Sequence, residues 1–193
     1  MLKGHETVVI DFEGFRYSNK SFIIKELSVC GANFSDTILL KPPKHLSLFS
    51  DKERESFDWL TKNLHGISWN DGFYNYPFIH EYFVCLRIRF PNALVYVKGV
   101  QKQIYVSNFI NNVYNLDNLD CPKVDDLDSP QLPLCYNHSN FDIQPPKEKL
   151  RHCSKIKSVL FYQWLQNWKN GNQSDLFNVV PSFECLQIDS SRQ

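Results

Sequence analysis

Residues 7–12 have the sequence TVVIDF, a short apolar run that ends in acidic residues at Asp11 and Glu13. A run of this length and composition predicts a strand that is buried in a sheet. Asp11 and Glu13 are two positions apart, so both carboxylates are expected on one face of the strand end. The stretch therefore predicts a first strand and a candidate site at its end, although a solvated strand end would have the same pattern.

Two further strands are predicted after a turn at residues 18–20. Residues 21–34, SFIIKELSVCGANF, form the second strand, and residues 37–41, TILLK, form a third that ends before Pro42. Alternation in the second strand predicts two faces, with Ile24, Glu26, Ser28 and Cys30 on one and Lys25, Leu27 and Val29 on the other. Three strands joined by short turns predict an antiparallel meander.

The remainder of the chain alternates between helices and strands. Helices are predicted over residues 50–63, 78–87, 104–111 and 155–168, and strands over residues 93–97 and 113–116. An irregular segment rich in Asp, Pro and Asn covers residues 117–146, and residues 171–193 are expected to form a C-terminal tail. This order predicts an α/β domain over residues 1–170. We expect a ribonuclease-H-like mixed sheet, with three antiparallel strands followed by parallel strands, covered by helices.

The composition excludes several classes of protein. Of the 193 residues, 42% are hydrophobic and 22% are charged, which excludes a disordered chain, a coiled coil and a collagen-like repeat. Basic and acidic residues both number 21, so a strongly basic protein that coats nucleic acid is excluded, whereas a local basic patch is not. The sequence has no apolar run of membrane-spanning length and no signal-peptide pattern at its start. We expect an intracellular protein, cytoplasmic or nuclear, without a membrane partner.

A second candidate site lies in the irregular segment. Cys135 and His138 have the spacing C-x-x-H, at which a tight turn can direct both side chains to one metal ion. Cys153 follows at the start of the last predicted helix, and thiolates suit Zn²⁺ in a reducing cell, where disulfides are rare. The alternative is that these residues are unrelated and that the thiols are simply buried.

Basic residues are expected close to these sites. Lys98 and Lys102 follow the predicted strand 93–97, and a basic run extends over residues 147–157. Such side chains could bind the phosphates of RNA or single-stranded DNA, or they could form a solvated helix face. The candidates for phosphate contact are Lys98, Lys102, Lys149, Arg151 and Lys155.

The stretch VVIDFEG around Asp11 and Glu13 resembles the first motif of DnaQ-like (DEDD-type) 3′–5′ exonucleases of the ribonuclease-H-like superfamily. The resemblance implies that both acids would bind Mg²⁺ or Mn²⁺ and that His152 would be the general base. That family has two further acids. Here Lys102 lies in the neighbourhood of the third, and Lys157 takes the place of the fourth. Two carboxylates give weak support for two divalent ions, so the resemblance implies the fold more strongly than the activity.

The chain is also similar to the Maelstrom domain, a DnaQ-like domain that has lost the exonuclease acids and carries a Glu-Cys-His-Cys zinc set. The similarity is carried by the stretch ELSVCGANFS, which begins at Glu26, and by a C-x-x-H pair followed by a Cys that enters the last helix. It implies a structural Zn²⁺ bound by Glu26, Cys135, His138 and Cys153, with Glu13 or His152 as the alternatives to Glu26.

The segments FDWLTKNLHGISW, VYVKGVQKQ and DCPKVDDL are similar to a group of uncharacterised arthropod and mobile-element open reading frames. Three functions stay open. The leading one is a zinc-stabilised degenerate exonuclease-like domain that binds RNA or single-stranded DNA. The second is an active metal-dependent 3′–5′ exonuclease or another nuclease, and the third is a protein-interaction module without nucleic acid.

Overall fold

The computed structural model describes residues 6–17, 21–127 and 152–172. Five strands form one sheet: β1 (Thr7–Tyr17), β2 (Ser21–Gly31), β3 (Phe34–Leu39), β4 (Leu94–Val97) and β5 (Val113–Asn115). Their order is β3-β2-β1-β4-β5, with the first three antiparallel and with β4 and β5 parallel to β1. The predicted α/β fold class is confirmed, and this strand order is consistent with a ribonuclease-H-like arrangement.

Within the described residues, four α-helices flank the sheet: α1 (Asp51–Leu60), α2 (Phe78–Arg89), α3 (Val100–Ser107) and α4 (Ser154–Asn172). A π-helical turn, Thr61–His65, continues α1, and 3₁₀ turns lie at Leu46–Leu48, Leu116–Leu119 and Val124–Asp126. None of the described helices is both long enough and apolar enough to cross a membrane.

The start of α1 follows directly from the sequence. The Oγ atom of Ser50 accepts a hydrogen bond from the N–H of Glu53, and the Glu53 carboxylate accepts one from the N–H of Ser50. This reciprocal capping box satisfies backbone donors that have no partner within the helix. At the other end Gly66 adopts a φ of 68°, a left-handed conformation that terminates the helical segment and favours glycine.

The two faces of β1 have different neighbours. Its even-numbered residues pack with α2 and α3 in one apolar cluster: Val8, Ile10 and Phe12. On the other face Val9 packs with α4, and Phe15 packs with Phe57 of α1. Asp11 and Glu13 occupy the odd-numbered positions between Val9 and Phe15, so the acid pair lies between two apolar clusters.

A β-bulge changes the predicted faces of β2. The pairing register shifts between Glu13 and Gly14, which makes Lys25 an extra residue on β2. Because an extra residue reverses the alternation, Ile24 packs in the cluster of α2 and α3. The prediction that Ile24 shares a face with Glu26 is therefore wrong.

Several bounds also differ from the predicted ones. α3 begins at Val100 rather than at residue 104, because Gly99, with a φ of 102°, turns the chain into the helix directly after β4. β1 continues beyond residue 12 to Tyr17, since it pairs with β2 along the whole hairpin. α4 continues to Asn172, past its predicted end at residue 168.

The bulge predicts a strict need for glycine at residue 14. A Cβ atom at Gly14 would lie 2.0 Å from the carbonyl oxygen of Ile23, so even alanine would force the two strands apart. We expect Gly14→Ala to lower the free energy of unfolding by about 1–3 kcal/mol in urea titrations. Gly171→Ala is the matched control, since a Cβ there meets no atom of the described residues within 4 Å. Equal stability of Gly14→Ala and the wild type would contradict the bulge.

Candidate functional site

The acid pair lies on β1 just beyond the end of its parallel neighbour. β4 pairs with β1 only along residues 7–9, so no described strand pairs with this edge of β1 at Asp11 and Glu13. Both side chains are buried: Asp11 is 0% exposed and Glu13 is 8% exposed. Two ionisable groups in such surroundings require compensating charges or hydrogen bonds.

Each carboxylate is paired with a lysine from a different helix. Lys102 of α3 donates to Oδ1 of Asp11 at 2.5 Å, and Lys157 of α4 donates to Oε1 of Glu13. The expectation that Lys102 and Lys157 lie close to the acids is confirmed. One oxygen of each carboxylate is thus bonded to an ammonium group.

Burial and the neighbouring charges shift the pKa values in this cluster in opposite directions. Burial alone raises the pKa of Glu13, but the charges of Lys157 and Lys102 outweigh it and lower the pKa below its usual value. Burial raises the pKa of Asp11, and the same two lysines only partly offset the shift. Burial lowers the pKa of Lys157, but the carboxylates of Glu13 and Asp11 reverse this and raise it. Glu13 and Lys157 are therefore both charged at neutral pH.

The two oxygens of Asp11 have different surroundings. Oδ1 accepts the hydrogen bond from Lys102, whereas Oδ2 is buried and accepts none from any described residue. Buried polar atoms in folded proteins nearly always have a partner. An acceptor of this kind is a candidate contact for a ligand.

A cavity of about 210 Å³ opens beside Asp11. Its walls come from α3, α4 and the residues around the turn Val124–Asp126. The lining residues other than Asp11 are Lys98, Lys102, Lys123, Val124, Lys157 and Phe161. Lys98 donates to Asp117 at 2.6 Å and to the carbonyl oxygen of Cys121. The site is thus a basic cavity with one buried carboxylate in its wall.

The predicted phosphate-binding residues are distributed unevenly. Lys98 and Lys102 line the cavity, whereas Lys155 is half-buried on α4 and does not. Lys149 and Arg151 lie outside the described residues. Lys123 lines the cavity but was not predicted, because it belongs to a segment without periodicity.

Glu26, the first predicted zinc ligand, is a fully buried residue of β2 whose carboxylate contacts the start of α4. Its Oε2 atom accepts hydrogen bonds from the N–H of Ser154 at 2.9 Å and from the Ser154 hydroxyl at 2.8 Å. A helix N-terminus favours a negative charge at this position. Cys153 is the adjacent residue in the chain and is buried with the apolar side chains of α4. Cys135 and His138 lie outside the described residues.

The third predicted catalytic residue, His152, lies in the turn that precedes α4. Across residues 6–17, 21–127 and 152–172, no three His, Cys, Asp or Glu side chains form a group that could hold a metal ion.

Comparison with known proteins adds no assignment: no family model matches the chain, and no curated protein matches it.

The Lys157–Glu13 pair predicts that removing one of its two charges destabilises the protein more than removing both. Glu13→Gln leaves the Lys157 ammonium, whose side chain is 13% exposed, without its main counter-charge. We expect the free energy of unfolding to fall by about 3–5 kcal/mol in urea titrations. The double variant Glu13→Gln/Lys157→Met removes both charges and is expected to recover most of that loss. A Glu13→Gln protein as stable as the wild type would show that the pair is not a buried ion pair.

Proposed function

We propose that this chain is a nucleic-acid-binding domain with a ribonuclease-H-like fold, in which the acid pair does not support metal-dependent cleavage. The observation that supports it is the basic cavity, where Lys102 and Lys157 neutralise the acids and where Lys98 and Lys123 add positive charge. The ligand is RNA or single-stranded DNA, because lysine ammonium groups bind backbone phosphates without reading the bases.

The charge balance of the cavity suits one phosphodiester group. Among the described residues, four lysines line it, and three carboxylates pair with three of those lysines: Asp11, Glu13 and Asp117. One positive charge is left over, and one phosphodiester carries one negative charge. Lys123 is the lining lysine that makes no ion pair within the described part of the chain, and it is exposed. We therefore expect Lys123 to make the first contact with a phosphate.

The same ion pairs argue against cleavage. Two-metal hydrolysis needs carboxylates that can bind two cations about 3.5–4 Å apart. Here one oxygen of Asp11 and one of Glu13 bond to ammonium groups, which also repel a divalent cation. The retained acids are therefore better evidence that the fold is related to nucleases than that the protein cleaves nucleic acid.

A structural Zn²⁺ is part of the proposal. The ligands would be Glu26, Cys135, His138 and Cys153, a set of two thiolates, one imidazole and one carboxylate that suits tetrahedral zinc. Its support from the fold is that Cys153 directly precedes the residue whose N–H binds the Glu26 carboxylate. The reducing interior of a cell, cytoplasm or nucleus, would keep both thiols available.

A protein-interaction module is the second candidate function. It is favoured by apolar side chains on the outer faces of α2 and α3, which are between 45% and 75% exposed: Val84, Ile88, Val100 and Ile104. Exposed apolar side chains that form a patch often mark a protein contact. Whether the cavity binds nucleic acid decides between the two candidates.

Binding of a fluorescent single-stranded oligonucleotide tests the proposed function. We expect the affinity to fall with rising salt, because each phosphate contact releases counterions. Lys123→Ala should weaken binding and lower the slope of log K against log salt by about one. Lys52→Ala removes an exposed lysine of α1 as the matched control and should leave both unchanged.

Two results of that experiment would contradict the proposal. Absence of binding to RNA and DNA at low salt would favour the protein-interaction module. Strong Mg²⁺-dependent degradation of the oligonucleotide by the wild type, abolished in Asp11→Asn, would favour the active nuclease.

Metal analysis of the purified protein tests the zinc site. We expect one Zn²⁺ per chain, and we expect Cys135→Ser to lose it and to melt at a lower temperature, since zinc binding is coupled to folding. Cys85→Ser is the control, because Cys85 is an exposed thiol on α2 outside the proposed ligand set. Zinc-free wild-type protein, or loss of zinc from both variants alike, would contradict the site.

A further inference from the structure

The lysines around the cavity could bind a phosphate, but they leave one oxygen of Asp11 without a hydrogen-bond partner among the described residues. Asp11 lines the cavity, and its Oδ2 atom is buried and accepts no hydrogen bond from the described residues. Such an atom destabilises the free protein unless a ligand supplies a donor. A phosphate oxygen cannot do so, because it is itself an acceptor.

The missing donor has to lie close to the phosphate. The cavity measures about 210 Å³, which is below the roughly 300–1,000 Å³ of pockets that enclose drug-sized ligands. It therefore suits one sugar–phosphate unit of a strand better than a unit together with its base. In RNA the 2′-hydroxyl is adjacent to the 3′-phosphate on the same ribose, and it can donate a hydrogen bond. DNA has no donor at that position.

We propose that Asp11 makes this cavity selective for RNA: a ribose 2′-hydroxyl donates to Oδ2 of Asp11 while the neighbouring phosphodiester lies against Lys98 and Lys123. This inference rests on the proposed function, nucleic-acid binding at the cavity. It gives the retained aspartate a role in recognition that needs no metal ion. Lys102 bonds to the Asp11 carboxylate through Oδ1, so a donor that reaches Oδ2 does not compete with this ion pair.

Three oligonucleotides of one sequence test whether the 2′-hydroxyl is the donor. They are RNA, DNA and 2′-O-methyl RNA. With the wild-type full chain at one low salt concentration, we expect RNA to bind about tenfold more tightly than DNA in fluorescence anisotropy, as for a hydrogen bond to a charged acceptor. The 2′-O-methyl RNA should bind like DNA, because the methyl group removes the donor while the ribose keeps its oxygen.

Variants at Asp11 assign the selectivity to that residue. Asp11→Ala should bind RNA and DNA with affinities in a ratio near one; Lys102, 21% exposed, can then turn toward solvent. Asp58→Ala removes an exposed carboxylate of α1 as the control and should keep the wild-type ratio. If Asp11→Ala does not fold by circular dichroism, Asp11→Asn replaces it, and its ratio should also fall because an amide oxygen is a weaker acceptor than a carboxylate.

The inference and the proposed function fail in different ways. Equal binding of RNA and DNA by the wild type, a ratio unchanged in the Asp11 variants, or 2′-O-methyl RNA that binds like RNA would each overturn the inference and leave nucleic-acid binding in place. Failure to bind any of the three oligonucleotides would overturn the proposed function itself.

Discussion

The ion pair between Lys157 and Glu13 ties the last helix to the sheet. Glu13 and Glu26 face each other across β1 and β2, and both are buried. The first turn of α4 satisfies both, because Lys157 neutralises Glu13 and Ser154 donates twice to Glu26. Without α4 in this place, Glu13 would lose its bond to Lys157 and Glu26 would lose both Ser154 donors, and loss of a partner from a buried charge is costly. One wall of the cavity is thus fixed by the need to satisfy two acids.

The parts of the fold that depend on local sequence could be predicted. The apolar run before Asp11 and the capping box at Ser50 involve neighbours in the chain, and both are present in the structure. The bulge has a weak signal in the sequence, because Lys25 and Glu26 are adjacent polar residues that interrupt the alternation of β2. Strict alternation through that point predicts the wrong face for Ile24. Lys25 is buried there, with its ammonium group bonded to the carbonyl oxygens of Trp69 and Asp71, and burial lowers its pKa to about 7. Those contacts depend on a loop that is distant in the sequence, and the periodicity of the local sequence does not indicate such contacts.

The candidate site was predictable to the same extent. Spacing placed Asp11 and Glu13 on one face, and resemblance to an exonuclease family placed Lys102 and Lys157 beside them. Lys123 and the free oxygen of Asp11 could not be predicted, because they follow from how an irregular segment folds against α3 and α4. The site therefore combines an acid pair that a sequence motif reveals with a basic cavity that only the tertiary structure reveals.

The proposed function requires that lysines, and not divalent cations, neutralise the acid pair. Titration with Mn²⁺, followed by the electron paramagnetic resonance of the free ion, measures this directly in the wild type, in Asp11→Asn and in Lys102→Asp/Lys157→Asp. We expect identical titration curves for the wild type and Asp11→Asn. We expect an additional Mn²⁺ site in the double variant, where four carboxylates would surround the former ammonium positions. A Mn²⁺ site in the wild type that disappears in Asp11→Asn would contradict the proposed function.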